Sequence, residues 1–116
     1  QISTGGLAVD AQVEAFKAAG DSESALLLQG LADRVAEDMA QYSHTHLRER
    51  LGLQKNEGTR YSPGYPGLRD ILVNALLAKL LDAKTSLGIS LTDAGEFYPT
   101  GTTGAVVCFH KAARYD

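Results

Sequence analysis

A chain of 116 residues has room for one domain with one hydrophobic core and not for two. Its 44% hydrophobic and 22% charged content is that of an ordinary globular domain, and its formal charge of −3 argues against the clustered basic face that duplex nucleic acid requires. Cys108 is the single cysteine, which rules out an internal disulfide or a cysteine-only metal cage and makes the cytoplasm the default compartment. No apolar run approaches the length of a membrane span and nothing resembles a signal peptide, so no membrane partner is expected. The sequence begins at Gln1 without a methionine and reads as a processed product or a fragment.

In chain order, residues 1–7 carry Ile2 and the Gly5-Gly6 pair and read as the tail of a strand. Asp10 is placed to cap a helix through Val13, Phe16 and Lys17, with Gly20 just past its end. Asp21 caps a second helix that meets no breaker except Gly30 before Gly52. Along it Leu28, Leu31, Val35, Met39, Tyr42 and His46 recur every three or four residues, and this stripe predicts the core-facing side, Met39 and Tyr42 included. His46, Arg48 and Arg50 suit the helix C-terminus.

Glu37 falls off that stripe and shares a face with Asp33, Gln41 and His44. Such a face is either simply solvated or a place where a carboxylate holds an ammonium or sulfonium group. His44 and His46 diverge on a helix, so they do not form a zinc site.

Arg60-Tyr61-Ser62-Pro63-Gly64-Tyr65-Pro66-Gly67 concentrates one fixed cation, two aromatic rings, two prolines and two glycines. The prolines forbid a helix, and Pro63-Gly64 reads as a turn with Gly64 free to take a positive φ. The stretch is either a connector or a stiff cradle for a small anionic or zwitterionic ligand. Asp70 then caps a helix bearing Ile71, Leu72, Ala75, Leu76 and Leu80, and a last turn closes at Gly88. Residues 89–92 alternate as a strand, residues 100–104 are turn-rich, and residues 105–109 read as a short buried strand with Cys108 as a buried small hydrophobe. These elements give an α/β (α+β) class, with helices on a twisted, largely antiparallel sheet, as a single domain over residues 1–116. Gly101-Thr102-Thr103-Gly104 lacks the lysine and spacing of a phosphate loop, Gly5-Gly6 lacks a dinucleotide fingerprint, and no nucleophile has a base partner by motif.

Together these segments resemble the activation domain of cobalamin-dependent methionine synthase. The resemblance is carried by Leu31-Ala32-Asp33-Arg34-Val35-Ala36-Glu37, by the R-x-x-x-G-Y-P pattern from Arg60 to Pro66, by Leu91-Thr92 with Pro99 and the Thr/Gly turn, and by the segment from His110 to Tyr115. It implies binding of S-adenosylmethionine, which remethylates cobalamin carried by a partner module after flavodoxin or another donor supplies an electron. It also implies a site of Glu37 for the ligand ammonium, Arg60 for its carboxylate, the backbone of Tyr61, Ser62 and Gly64 for adenine, Tyr65 for packing, and Tyr115 near the sulfonium. No residue is required as a general acid or base. The N-terminal part of the family domain has no counterpart here, so the chain resembles the C-terminal half and a second piece is an expected partner. Two other functions are compatible with the same residues: a non-catalytic interaction module that keeps the fold, and reactivation of a different corrinoid methyltransferase.

Overall fold

The computed structural model describes residues 1–115. Its elements are β1 (Ile2–Thr4), α1 (Leu7–Ala18), α2 (Ser22–Arg50), β2 (Thr59–Tyr61), α3 (Val73–Leu80), α4 (Ala83–Leu87), β3 (Ser90–Leu91), β4 (Phe97–Tyr98), β5 (Thr102–Gly104) and β6 (Val106–Cys108). The α+β class is as expected, and every strand pairing is antiparallel. The strands form three two-stranded ribbons, β1 with β5, β2 with β6 and β3 with β4. β5 and β6 are separated only by Ala105, so one extended stretch pairs first with β1 and then with β2. The register sets Gly104 opposite Ile2 and Val107 opposite Arg60. The expected turn at residues 102–104 is therefore a strand: pairing with β1 satisfies a backbone whose Thr/Gly composition reads locally as a turn.

The long helix starts where the sequence puts it, with the Asp21 carboxylate accepting the Ser24 N–H at 3.1 Å. Gly20, at φ 76°, gives the left-handed turn that ends α1, and Gly88 does the same for α4 at φ 69°. Asp10 does not cap α1. The cap position is Gly6, and Asp10 lies within the helix, buried, with one carboxylate oxygen accepting the Thr100 N–H at 3.1 Å and the Thr100 hydroxyl at 3.3 Å. The carboxylate thus ties α1 to the turn before β5. Asp70 acts just ahead of α3, accepting the Leu72 N–H at 2.9 Å.

The largest departure concerns which side of α2 is buried. Leu31, Val35, Met39 and Tyr42 are exposed, Tyr42 at 74%. The buried positions are Ala25, Ala32, Ala36, Ala40 and His44. The physical reason is close approach. A Cβ placed on Gly5 would lie 3.2 Å from the Ala32 Cβ, and one on Gly101 would lie 3.0 Å from it, so α2 rests almost on the backbone of β1 and of the turn before β5. Large side chains do not fit such a seam, and the bulky stripe turns outward. The same inversion occurs on α3, where Leu72, Leu76 and Leu80 are exposed while Asn74 and Leu77 are buried. The larger apolar side chains of the core gather elsewhere, around Ala83, Ile89 and Phe97, with Ile2, Ala78 and Leu91 packed against them. Residues 105–109 are not a buried strand either: Val106 and Cys108 face outward from β6.

Ala32→Leu should therefore destabilise the fold by about 1–3 kcal/mol through overpacking, whereas truncating the bulkier, exposed neighbour with Leu31→Ala should stay within about 0.5 kcal/mol. Urea denaturation followed by far-ultraviolet circular dichroism measures both; a larger loss for Leu31→Ala would contradict the alanine-faced seam.

Candidate functional site

The seam places one edge of α2 alongside the loop after β2 and the strands that follow α4. Between them lies a cleft of about 430 Å³. Helix α2 contributes Asp33, Ala36 and Glu37, and the loop contributes Ser62, Pro63 and Tyr65. The far wall carries Asn74, Glu96 and Phe97, and hydroxyls come from Thr100, Thr102 and Thr103. Each wall is braced from behind. The buried Asn74 amide donates to the Gly95 carbonyl at 3.0 Å, which fixes the turn bearing Glu96. Asp10 fixes Thr100 as described above, and the Thr102 hydroxyl shares a 2.8 Å hydrogen bond with the Thr4 hydroxyl.

A smaller recess of about 120 Å³ adjoins the cleft, lined by Gln1, Ala40, Arg60 and Ala105 and sharing Glu37, Ser62, Thr103 and Gly104 with it. Glu37 and Ser62 stand at the junction. Arg60 projects from β2, and its guanidinium donates to the Gln41 side-chain oxygen at 3.0 Å.

The electrostatics of the pair of cavities are unequal. Asp33, Glu37 and Glu96 line the main cleft, which has no lysine or arginine in its wall. Among the described residues the ion pairs are Lys17–Glu14 and Arg34–Asp38, so none of the three carboxylates has a cationic partner there. Nor do they converge on a point: among the described residues no three His, Cys, Asp or Glu side chains are grouped to hold a metal ion. The negative charge is spread along a trough and followed by one guanidinium in the recess. That order suits an extended ligand with cationic centres along its length and a carboxylate at one end.

Of the residues anticipated from sequence, Glu37, Ser62 and Tyr65 line the cleft and Glu37, Arg60 and Ser62 line the recess. Gly64 has the expected positive φ, 91°, but faces Ile71, and its N–H donates to the Leu68 carbonyl at 2.8 Å. A Cβ there would meet Ile71 only at ordinary contact distance, 3.6 Å, so glycine is required by the backbone conformation and not by space. Tyr61 and Tyr115 do not line either cavity. Their rings stack at 6.1 Å over Gly67, where a Cβ would come within 2.9 Å of Tyr61 and 3.0 Å of Tyr115, and the Tyr61 hydroxyl donates to the Arg114 carbonyl. The pair clasps the C-terminal segment onto the loop. Sequence reasoning missed Asn74, Glu96 and the three threonines as cleft residues. Only Asp33 carried a signal, its place four residues before Glu37 on one helix face.

His44 and His46 diverge. His46 stacks on Tyr42 at the surface, while His44 is buried with its ring 5.3 Å from that of Phe109 and its Nδ1 without a hydrogen-bond partner. Burial first, then the charges of Arg48 and Arg60, lower its pKa below the ordinary 6.5.

The fold and cavities define a class first: a small α+β domain with a braced acidic cleft that ends at a single guanidinium. The family model for the vitamin B12 dependent methionine synthase activation domain matches residues 2–116. The chain belongs to that family. A crystal structure of the MetH reactivation domain bound to AdoHcy is similar in fold, with a TM-score of 0.88 and 29% sequence identity over 97% of this chain. The match covers 39% of that chain, so the present chain corresponds to well under half of it. No helix among the described residues is long and apolar enough to cross a membrane.

Because the folded state binds a proton at His44 less readily than the unfolded chain, its contribution to stability is complete above about pH 6.5 and is lost as pH falls below that value toward the lowered folded pKa. Thermal melting of the wild type and His44→Gln across pH 5–8 should show the wild type losing more stability below about pH 6.5. Parallel pH profiles would contradict a neutral buried imidazole.

Proposed function

We propose that the cleft binds S-adenosylmethionine and presents it for reductive remethylation of cobalamin carried by a partner module of methionine synthase. The observation that carries this reading is a trough of three carboxylates without cationic partners, continuous with the Arg60 recess. S-adenosylmethionine has the matching charge order: a sulfonium and an ammonium, with a carboxylate at one end. Glu37, at the junction of the two cavities, takes the ammonium, and Arg60 takes the carboxylate through its planar fork. Asp33 and Glu96 favour the positive charge of the sulfonium, and the threonine hydroxyls and Ser62 offer partners for ribose and adenine. Tyr65 covers the ligand from the loop. Tyr61, Gly64 and Tyr115 shape and fasten that loop from behind.

The corrinoid of the partner module, reduced by an electron from flavodoxin or another donor, would supply the cobalt that accepts the methyl group, and the broken sulfur–methyl bond would leave S-adenosylhomocysteine in the cleft. The protein needs no general acid or base for this transfer. Its work is to bind, orient and expose the sulfonium at the open side of the cleft. A further part of the domain is required to complete it, consistent with the 39% of the matched chain that this one covers. The outward ridges of leucine on α2 and α3 offer apolar surface for that part and for the cobalamin module.

Isothermal titration with S-adenosylmethionine, with the remaining part of the domain present, is expected to give saturable heat. Arg60→Ala and Glu37→Gln should each weaken binding by about tenfold or more, the scale of a charge-assisted hydrogen bond. A flat titration with the remaining part present would overturn the assignment. Which corrinoid protein the completed domain remethylates would identify the partner.

A further inference from the structure

Arg60 and Glu37 line the same small recess, carry opposite charges, and yet form no ion pair. What Arg60 does contact is a neutral group. Its Nη2 donates to Gln41 Oε1 at 3.0 Å, and the other end of that amide, Nε2, donates to Thr45 Oγ1 at 3.2 Å. Glu37, Gln41 and Thr45 follow one another at single-turn intervals on α2, so the helix that carries the carboxylate also carries the amide one turn beyond it and the hydroxyl that orients the amide.

We infer that Gln41 is a positioning residue: it holds the Arg60 guanidinium aside from Glu37 and aims it at the ligand carboxylate. This rests on the reading of the cleft given above. The geometry has the parts such a role needs. Thr45 engages the amide nitrogen, which leaves the amide oxygen directed at Arg60. A neutral acceptor takes one of the five N–H donors of the guanidinium and leaves the rest of the fork open to a carboxylate. Without that acceptor the nearest anionic competitor in the recess is Glu37 itself, and a pair between the two would mask both ligand-binding charges at once. Gln41 touches Arg60 and need not touch the ligand.

The test titrates wild type, Gln41→Leu and Gln41→Glu, each with the remaining part of the domain present, with S-adenosylmethionine and with its decarboxylated analogue, which keeps the sulfonium and the ammonium but has no carboxylate. Gln41→Leu should weaken S-adenosylmethionine about tenfold, and its effect on the analogue should be smaller by at least about threefold, because the analogue makes no use of Arg60. Gln41→Glu puts an anion where the neutral acceptor stood, pairs with Arg60, and should weaken S-adenosylmethionine at least as much as Gln41→Leu, again with a smaller effect on the analogue. Melting midpoints of the three proteins report whether they are folded, and since residue 41 is exposed all three should match. Equal losses for both ligands, an unchanged affinity in Gln41→Leu, or wild-type affinity in Gln41→Glu would each overturn the positioning role while leaving the ligand assignment in place. If the wild type binds neither ligand, the ligand assignment itself falls, and the role of Gln41 falls with it.

Discussion

The approach of α2 to bare backbone is the constraint from which the rest of the molecule follows. Ala32 sits within contact of Gly5 and Gly101 together, where neither a larger helix residue nor a side chain on either glycine could be accommodated without movement. Ala25, Ala36 and Ala40 continue the same small-residue face. Because the helix lies so close, β1 and the stretch containing β5 are fixed against its length, and the extended chain through Ala105 then carries β2 and Arg60 to the same helix. A helix that stood farther off on leucines would leave Glu37 and Arg60 in separate places.

The close seam also explains where the polar groups go. Residues flanking an alanine face are necessarily near the surface the helix packs on, so Asp33 and Glu37 look directly into the groove between α2 and the strands. The opposite wall is held by buried polar bonds: Asn74 on the Gly95 carbonyl and Asp10 on Thr100. Buried polar groups of this kind are costly unless paired, and each of these two spends its hydrogen bond on a cleft-bearing turn. The loop of residues 62–68 is held in the same spirit, by the Gly64 and Leu68 backbone bonds and by the Tyr61–Tyr115 clasp over Gly67. The outcome is a braced trough with carboxylate side chains on its walls, which favours recognition by charge order over recognition by enclosure.

The outward leucines of α2 and α3 have the opposite character. Leu27, Leu31, Val35 and Met39 form a ridge at intervals of four residues, and Leu72, Leu76 and Leu80 form another. Contiguous exposed apolar ridges of this kind are uncommon on a small free-standing domain. One side of α2 thus organises the acidic groove, and the other carries the exposed apolar ridge.

Local chemistry was legible in the amino-acid order. The Asp21 cap, the extent of α2, the glycine stops at Gly20 and Gly88 and the positive φ of Gly64 all depend on interactions within a few residues, and the order of motifs from Glu37 through Arg60 identified the family. What only the tertiary structure decided was which face each helix buries and which residues share the groove. Periodicity marks a bulky stripe but cannot say whether the partner surface has room for it; here the partner was bare glycine backbone, so alanine went in and leucine went out. Glu96, Asn74 and Thr100 entered the site through hydrogen bonds and pairings between segments far apart in the chain, and no short pattern announces those.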